Sequence, residues 1–290
     1  MSVGQLEDTL GRNFSELSPK LKVAARYVID NPQDVATRSL RQVAKRSGLT
    51  PPTFSRLARA VGFAEYECLR DVCRQEMKLS SLSLAQRAVV MQQDNPATGT
   101  HSRGSFAEVH ALSAVENINR LVQGLDLEKL ADVADRLSSA GKVRLIGALS
   151  SKAILEYLLH MANLAAPNWL MIGQDGTPAP TALADFDRDT VVLVVSLSPY
   201  VKRTVEMTRL AKAAGSDVVV VTDDLAAPVL KYASSSFLIS TESPQFFPSY
   251  VAVVTLLEML MGMTVRRLGD KANKRIDSVE KLSRAIGDYI

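Results

Sequence analysis

Six basic side chains stand in a stretch without a single acid, and they are the densest chemistry in this chain. Residues 35–64 contain Arg38, Arg41, Lys45, Arg46, Arg56 and Arg59, with no Asp or Glu between Asp34 and Glu65. Guanidinium and ammonium groups that lack neighbouring carboxylates neutralise phosphates. Arg, Ser and Thr also exchange hydrogen bonds with base edges in the major groove. Leu40, Val43, Ala44, Leu49, Phe54, Leu57, Ala58 and Val61 recur at helical spacing, which predicts two short helices packed on each other. That packing leaves Arg41 and Lys45 outward on the first helix and Thr53, Ser55, Arg56 and Arg59 outward on the second. Thr50 stands at the mouth of the second.

The punctuation fits the same reading. Ser39 can accept from the unpaired N–H groups that open the first helix, and Thr50 is expected to do so for the second. Pro51 suits a first helical position, where no N–H is needed. Gly48 and Gly62 supply the left-handed backbone that a tight turn and a helix stop favour. Two amphipathic helices joined at a Gly also describe an ordinary αα-hairpin. The acid-free basic surface and both caps select a DNA-reading helix-turn-helix instead, with double-stranded DNA as partner.

At 290 residues and 47% hydrophobic content the chain is long and apolar enough for two modest cores. Its net charge of +3 conceals an asymmetry: residues 1–78 hold 13 Lys+Arg against 9 Asp+Glu, and the remainder holds 21 against 22. Positive charge therefore gathers around the basic helices. Cys68 and Cys73 are five apart, not a CxxC pair, and read as free thiols of a reducing compartment. His101, His110 and His160 form no metal-ligand spacing, so neither a metal nor another cofactor is expected. Met1 to Leu10 lack an apolar signal core, and the apolar stretches fall short of a membrane span, so a cytoplasmic protein is expected.

The expected organisation is α/β: an all-helical helix-turn-helix domain followed by a doubly wound parallel-sheet sandwich. Helices are expected at 2–17, from Ser18-Pro19 through Ile29 with Asn31-Pro32 as terminator, through the basic pair, and at about 66–79. This sets a domain at 1–78, a linker at 79–105, polar from Asp94 to Ser105 and with 80–92 also readable as an extension of the preceding helix, and a second domain at 106–290. In the second domain, helices at 107–123 and 127–139 precede strands at 142–147, 168–172, 190–196, 217–222 and 237–240. Thr190-Val-Val-Leu-Val-Val-Ser196 and Asp217-Val-Val-Val-Val-Thr222 are continuous apolar runs, as in parallel strands buried on both faces. Helices are expected between strands at 152–165, 199–214 and 225–233, then at 249–268. On that last helix Val253, Val254, Leu256, Leu257, Leu260 and Met261 exceed one amphipathic stripe; a subunit interface or complete core burial would account for them.

A helix-turn-helix joined to this βα pattern resembles the RpiR-type transcriptional regulators, whose effector module is a SIS (sugar isomerase) domain. Ile146-Gly-Ala-Leu-Ser-Ser-Lys-Ala153 stands where that family has a Gly-x-Gly-x-Ser turn after its first strand. Ser196-Leu-Ser-Pro-Tyr-Val-Lys-Arg-Thr204 stands where it has Ser-x-Ser-Gly-x-Thr-x-Glu-Thr. The resemblance implies a small-molecule effector, a phosphosugar or derivative, held by Gly147, Ser150, Ser151, Ser196, Ser198 and Thr204. Helix N-termini and hydroxyls converging on an anion make sense of such loops. Leu149, Pro199, Val201 and Arg203 depart from the family pattern. Lys152 and Arg203 stand at the loop helices and could attract an anion. Ser198 before Pro199 also reads as a plain helix cap.

The resemblance further implies dimerisation through the α/β domain, as a homodimer or homotetramer. A SIS-type sugar-phosphate isomerase with a helical extension is the alternative. Isomerisation needs a carboxylate or His as base, and the second loop carries Arg203 where the family has an acid. No catalytic residue is therefore assigned, and the chain is expected to be a regulator and not an enzyme.

Overall fold

The computed structural model describes residues 17–93, 105–173 and 178–288, and the chain divides into two compact units: the described residues before 103 with Pro244–Phe247, and the rest. The helix expected over 2–17 and the polar stretch 94–104 lie outside the described residues.

The first unit is helical: α1 Pro19–Asp30, α2 Pro32–Thr37, α3 Leu40–Ser47, α4 Pro51–Ala60 and α5 Tyr66–Ser81, followed by α6 Leu84–Gln93. Asn31-Pro32 ends α1 as expected, but Pro32 also opens α2, which the sequence reading missed. A proline that cannot continue one helix is well suited to the first position of the next. Helix α6 is separate from α5 and lies inside the segment expected as a linker. The core gathers Val28, Val35, Val43, Phe54, Leu57, Val61 and Leu69. Phe54 packs edge-on between Tyr27 and Tyr66, with ring centroids 6.2 and 6.1 Å away.

The second unit opens with α7 Phe106–Gly124 and α8 Leu127–Ser139. It continues through β1 Lys142–Ile146, α9 Ser150–Ala165, β2 Trp169–Met171, α10 Ala179–Ala184, β3 Thr190–Val195, α11 Lys202–Ala213 and β4 Asp217–Thr222. A 3₁₀ helix at Pro228–Tyr232, β5 Ser235–Leu238, α12 Val251–Leu268 and α13 Asp270–Ile286 complete it. All strands pair in parallel, in the order β2-β1-β3-β4-β5.

Alternation along each strand divides the core into two layers. Val191, Leu193, Val195, Val219 and Val221 face Leu130 and Val133 of α8, Leu155 and Leu158 of α9, and Leu256 and Leu257 of α12. Val192, Val194, Val218 and Val220 face Ala179 and Ala182 of α10 and Met207 and Ala211 of α11. Burial of β3 on both faces accounts for its uninterrupted apolar sequence.

Three boundaries stand out among those that differ from expectation. Helix α11 begins at Lys202, because residues 198–201 form a loop turned toward β4. The stretch 225–233 yields only the 3₁₀ turn. Strand β5 begins at Ser235, two residues early, where polar side chains hid it. On α12, Val253, Leu256, Leu257, Leu260 and Met261 are buried within the unit and Val254 packs partly against it. Their excess over one stripe is core burial, not an exposed interface.

Candidate functional site

In the first unit, Ser39 and Gln42 form a reciprocal capping box at the start of α3: Gln42 N–H donates to Ser39 Oγ and Ser39 N–H donates to Gln42 Oε1. Gly48 ends α3 at φ +70°, and α4 follows after Leu49 and Thr50. The α3–turn–α4 arrangement thus has the expected helix-turn-helix form. Thr50 makes no side-chain cap; its hydroxyl lies 3.0 Å from that of Thr53. Thr53 is itself only 3% exposed, so its expected outward position is corrected. It occupies the third position of α4, on the same side as Phe54 and Leu57, where a small polar residue satisfies its hydroxyl locally. Ser55 is half-buried, with its hydroxyl 3.5 Å from the Pro51 carbonyl.

Asp34, on α2, sorts the basic residues. Its carboxylate accepts from Arg38 Nε at 2.8 Å and from the Tyr27 hydroxyl at 2.9 Å, and pairs with Arg46 Nε at 2.6 Å. Hydrogen bonding from Arg38 holds Asp34 below the usual carboxylate range. Arg41, Lys45, Arg56 and Arg59 are exposed and have no carboxylate partner among the described residues. These four form a basic face on both helices of the motif, as required of a polyanion-binding surface.

In the second unit, β2 lies on one side of β1 and β3 on the other, so the chain reverses its lateral progress between them. Loops beyond the carboxyl ends of strands at such a switch point form a cleft where ligands bind in parallel sheets. The loops after β1 and β3 are the two that the sequence singles out. Gly147 follows β1 where a Cβ would come within 2.7 Å of Leu155 Cδ1, so only hydrogen fits without a shift. Leu149 adopts φ +53° and ψ −128°, a backbone conformation normally left to Gly. Ser150 and Ser151 open α9; Ser150 Oγ lies 2.7 Å from the Tyr250 hydroxyl, and Ser151 is 5% exposed. The N–H groups of Ser151 and Lys152 donate to the carbonyls of Ala148 and Leu149, so these two donors at the start of α9 are already paired within the loop. Lys152 pairs with Glu156 at 3.5 Å along its own helix, whereas Arg203 is exposed.

After β3, Ser196 is 4% exposed and its N–H donates to the Val221 carbonyl. Ser198 is exposed and caps no helix, because α11 starts at Lys202 with Val201 before it. Its N–H donates to the carboxylate of Asp223, at 3.2 and 3.1 Å from the two oxygens, and the Tyr200 hydroxyl donates to Asp223 Oδ1 at 3.0 Å. Thr204, 1% exposed, has a buried hydroxyl oxygen without a hydrogen-bond partner. Burial pushes the Asp223 carboxyl above its ordinary value of 3.8, against the opposing effect of its two donors. Burial also pushes Tyr200 and Tyr250 up.

Sequence reasoning missed Asp223 and Tyr250. The signal for Asp223 was its place immediately after Thr222, at the carboxyl end of a buried strand. Among the described residues no three His, Cys, Asp or Glu side chains come together as a metal site, and no helix is long and apolar enough to cross a membrane.

Comparison with known proteins agrees with this geometry: residues 136–263 match the SIS domain family. This part of the chain is similar to SIS domains. With a helix-turn-helix unit before it, the chain has the domain order of the RpiR-type transcriptional regulators. It is similar to an HTH-type transcriptional regulator of Caldanaerobacter subterraneus, 22% identical over 278 residues, which is 94% of this chain and 93% of that one. An HTH-type transcriptional regulator of Haemophilus influenzae is 26% identical over 243 residues, 79% of this chain and 78% of its own. Among solved structures, NanR of Vibrio vulnificus, complexed with ManNAc-6P, superimposes with a TM-score of 0.56 at 21% identity, covering 97% of this chain and 98% of NanR. The sugar isomerase domain of an RpiR transcription factor from Sphaerobacter thermophilus gives 0.57 at 19% identity, over 60% of this chain and 98% of that one. These structural likenesses establish the fold of the SIS domain and of the helical unit.

Proposed function

We propose that this protein is a DNA-binding transcriptional regulator whose SIS domain senses a small anionic metabolite, a phosphosugar or a derivative of one. The observation that carries the DNA half is the basic face of Arg41, Lys45, Arg56 and Arg59, presented by a capped α3–turn–α4 pair. The regulators to which the chain is similar along most of its length support it. Working as at least a dimer, the protein would set two helix-turn-helix units on successive major-groove faces about 34 Å apart. An effector would then alter operator affinity through its different affinities for two arrangements of those units. Its place is the cytoplasm, where the DNA is.

The effector half rests on the two loops at the switch point. We assign the effector's anionic group to the first loop, with Gly147, Ser150 and Ser151, because the second loop is turned onto the Asp223 carboxylate, which disfavours an anion beside it. Ser196, Ser198 and Thr204 form the other side of the cleft. The NanR structure, solved with a phosphosugar, makes this ligand class the first to test. Catalysis is not part of the reading, since Asp223, a carboxylate beside the loops, already accepts two internal hydrogen bonds.

Calorimetry of the full-length protein against phosphosugars and their unphosphorylated sugars, with retention on upstream DNA measured in parallel, tests both halves. Saturable heat from a phosphosugar but not from its parent sugar, with changed DNA retention, is the expected result. No heat from any phosphorylated compound would remove the phosphosugar assignment. No retention on DNA at low salt would remove the regulator assignment.

A further inference from the structure

Asp34 meets both of its arginines at Nε. Arg38 Nε lies 2.8 Å from Oδ1 and Arg46 Nε 2.6 Å from Oδ2, one arginine to each carboxylate oxygen. The strongest pairing of these groups is bidentate, with two parallel N–H groups of one guanidinium on the two oxygens of one carboxylate. Neither arginine makes it here, and the forked Nη ends are left over. The side chains of Arg38 and Arg46 are 41% and 56% exposed, whereas that of Asp34 is 18% exposed. Neither arginine has a second carboxylate or a carbonyl partner among the described residues.

The carboxylate itself is fixed in place. The Tyr27 hydroxyl donates to its Oδ2 at 2.9 Å, and Arg46 also lies against that hydroxyl. The Tyr27 ring meets the buried Phe54 of α4 edge-on, with centroids 6.2 Å apart. Asp34 is thereby tied to the second helix of the motif. Two guanidinium groups share one negative charge, so the cluster keeps an excess of positive charge. In sequence it borders the basic face: Arg46 follows Lys45, and Arg38 stands three residues before Arg41.

We propose that Arg38 and Arg46 form a preset clamp for a backbone phosphate of double-stranded DNA, with Asp34 as the residue that positions them. The assignment rests on the DNA-binding reading and adds to it a contact outside the four exposed cations. A guanidinium anchored at Nε keeps its planar fork outward, ready to grip a phosphate with two N–H groups. Because Asp34 already restricts both side chains, binding costs them little further freedom. A purely stabilising role explains less, since ion pairs this exposed add little to stability. Among anions, the polyanion fits best, because four more cations stand on the same two-helix motif.

Phosphate contacts carry no sequence information, so a random duplex of about thirty base pairs, three helical turns, serves as the probe. Its binding to the full-length protein is followed by fluorescence anisotropy over a salt series, with thermal melts to show that each variant is folded. Arg38→Gln and Arg46→Gln change exposed side chains and do not burden the core. Each should lower affinity at least about fivefold near 0.1 M salt and reduce the slope of log K against log salt by about 1 for each subunit bound. Arg46→Lys keeps the charge without the fork and should recover only part of the loss. Asp34→Asn tests the positioning. At the high-salt end, where through-space attraction is screened, it should bind more weakly than the wild type although it removes a negative charge. Tighter binding by Asp34→Asn at every salt concentration overturns the proposal, since the acid would then restrain the arginines and not aim them. Unchanged affinity and slope for both Gln variants, or full recovery by Arg46→Lys, overturns it as well. A wild type that does not bind the duplex at low salt removes the DNA reading together with the clamp, whereas binding that ignores both arginines removes the clamp alone.

Discussion

Asp34 divides the six basic residues of the acid-free stretch into two sets, and the division governs what each substitution should do. Arg38 and Arg46 are held by its carboxylate. If the α3–turn–α4 pair docks on DNA as proposed, Arg56 on α4 would reach base edges and Lys45 on α3 the phosphate backbone. Arg56→Ala is expected to cost about 1–3 kcal/mol on the specific site and to relax its sequence preference. Lys45→Ala should weaken specific and random DNA alike and flatten the salt dependence; fluorescence anisotropy over a salt series separates the two. Thr53 belongs to neither set. Its side chain is buried against Thr50, so Thr53→Ala should lower stability by about 0.5–1.5 kcal/mol in urea titrations and leave DNA affinity per folded molecule unchanged. Helical spacing alone placed Thr53 outward, because a Thr hydroxyl looks polar in a sequence even where a neighbouring Thr satisfies it. Asp223 gives a pH signature. A carboxyl raised by burial holds its proton longer in the folded state, so stability falls as pH rises from the ordinary value of 3.8 through the raised one. Asp223→Asn keeps an acceptor for Ser198 and Tyr200 without that charge. It should raise Tm at neutral pH and reduce the loss of Tm across this window, and an unchanged pH profile would count against the burial argument.

Elements were legible where a single physical rule decides them. The strands β3 and β4 appear in the sequence as apolar runs, and the start of α3 as Ser39 with Gln42 three residues on. The start of α11 was hidden, since Ser-Pro is a standard helix opening and only the carboxylate of Asp223, from another strand, turns those residues into a loop. Helix α13 was overlooked although Ala272, Ile276, Val279, Leu282 and Ile286 recur at helical spacing; of these only Ala272 is buried. The two loops of the cleft were located by family resemblance, but their partners Asp223 and Tyr250 lie on distant segments that spacing cannot connect. The first loop also contains a residue at odds with its backbone. Leu149 is 70% exposed and has a glycine-like φ of +53°, so its side chain contributes little packing to offset strain of about 1–3 kcal/mol. Leu149→Gly should therefore be neutral or stabilising by up to about 2 kcal/mol, despite the greater freedom that Gly gives the unfolded chain. A clear loss of stability in thermal melts would show that Leu149 makes a contact of its own.

The two units have separate cores, one around Phe54 and Leu57, the other on the two faces of the sheet. A fragment of residues 106–290 should therefore fold, retain effector binding and lose DNA affinity, as checked by circular dichroism, calorimetry and anisotropy. Loss of cooperative melting in that fragment would mean that the helical unit supports the sheet.

The strand order has a kinetic consequence. Because β3 pairs with β1 and β2 lies outside them, the central ladder cannot close until the whole of α9, β2 and α10 has been gathered in. Such long-range closure is slow, whereas the helical unit is built from near neighbours in sequence and should form quickly. The chain's one tryptophan, Trp169, lies buried in β2, so its fluorescence reports the sheet unit alone, while helix signals report both. In stopped-flow refolding, much of the far-ultraviolet signal should recover before Trp169 reaches its native emission. On the ribosome the same order holds by position: the segment that would grip DNA is complete before the sheet that would regulate it has emerged.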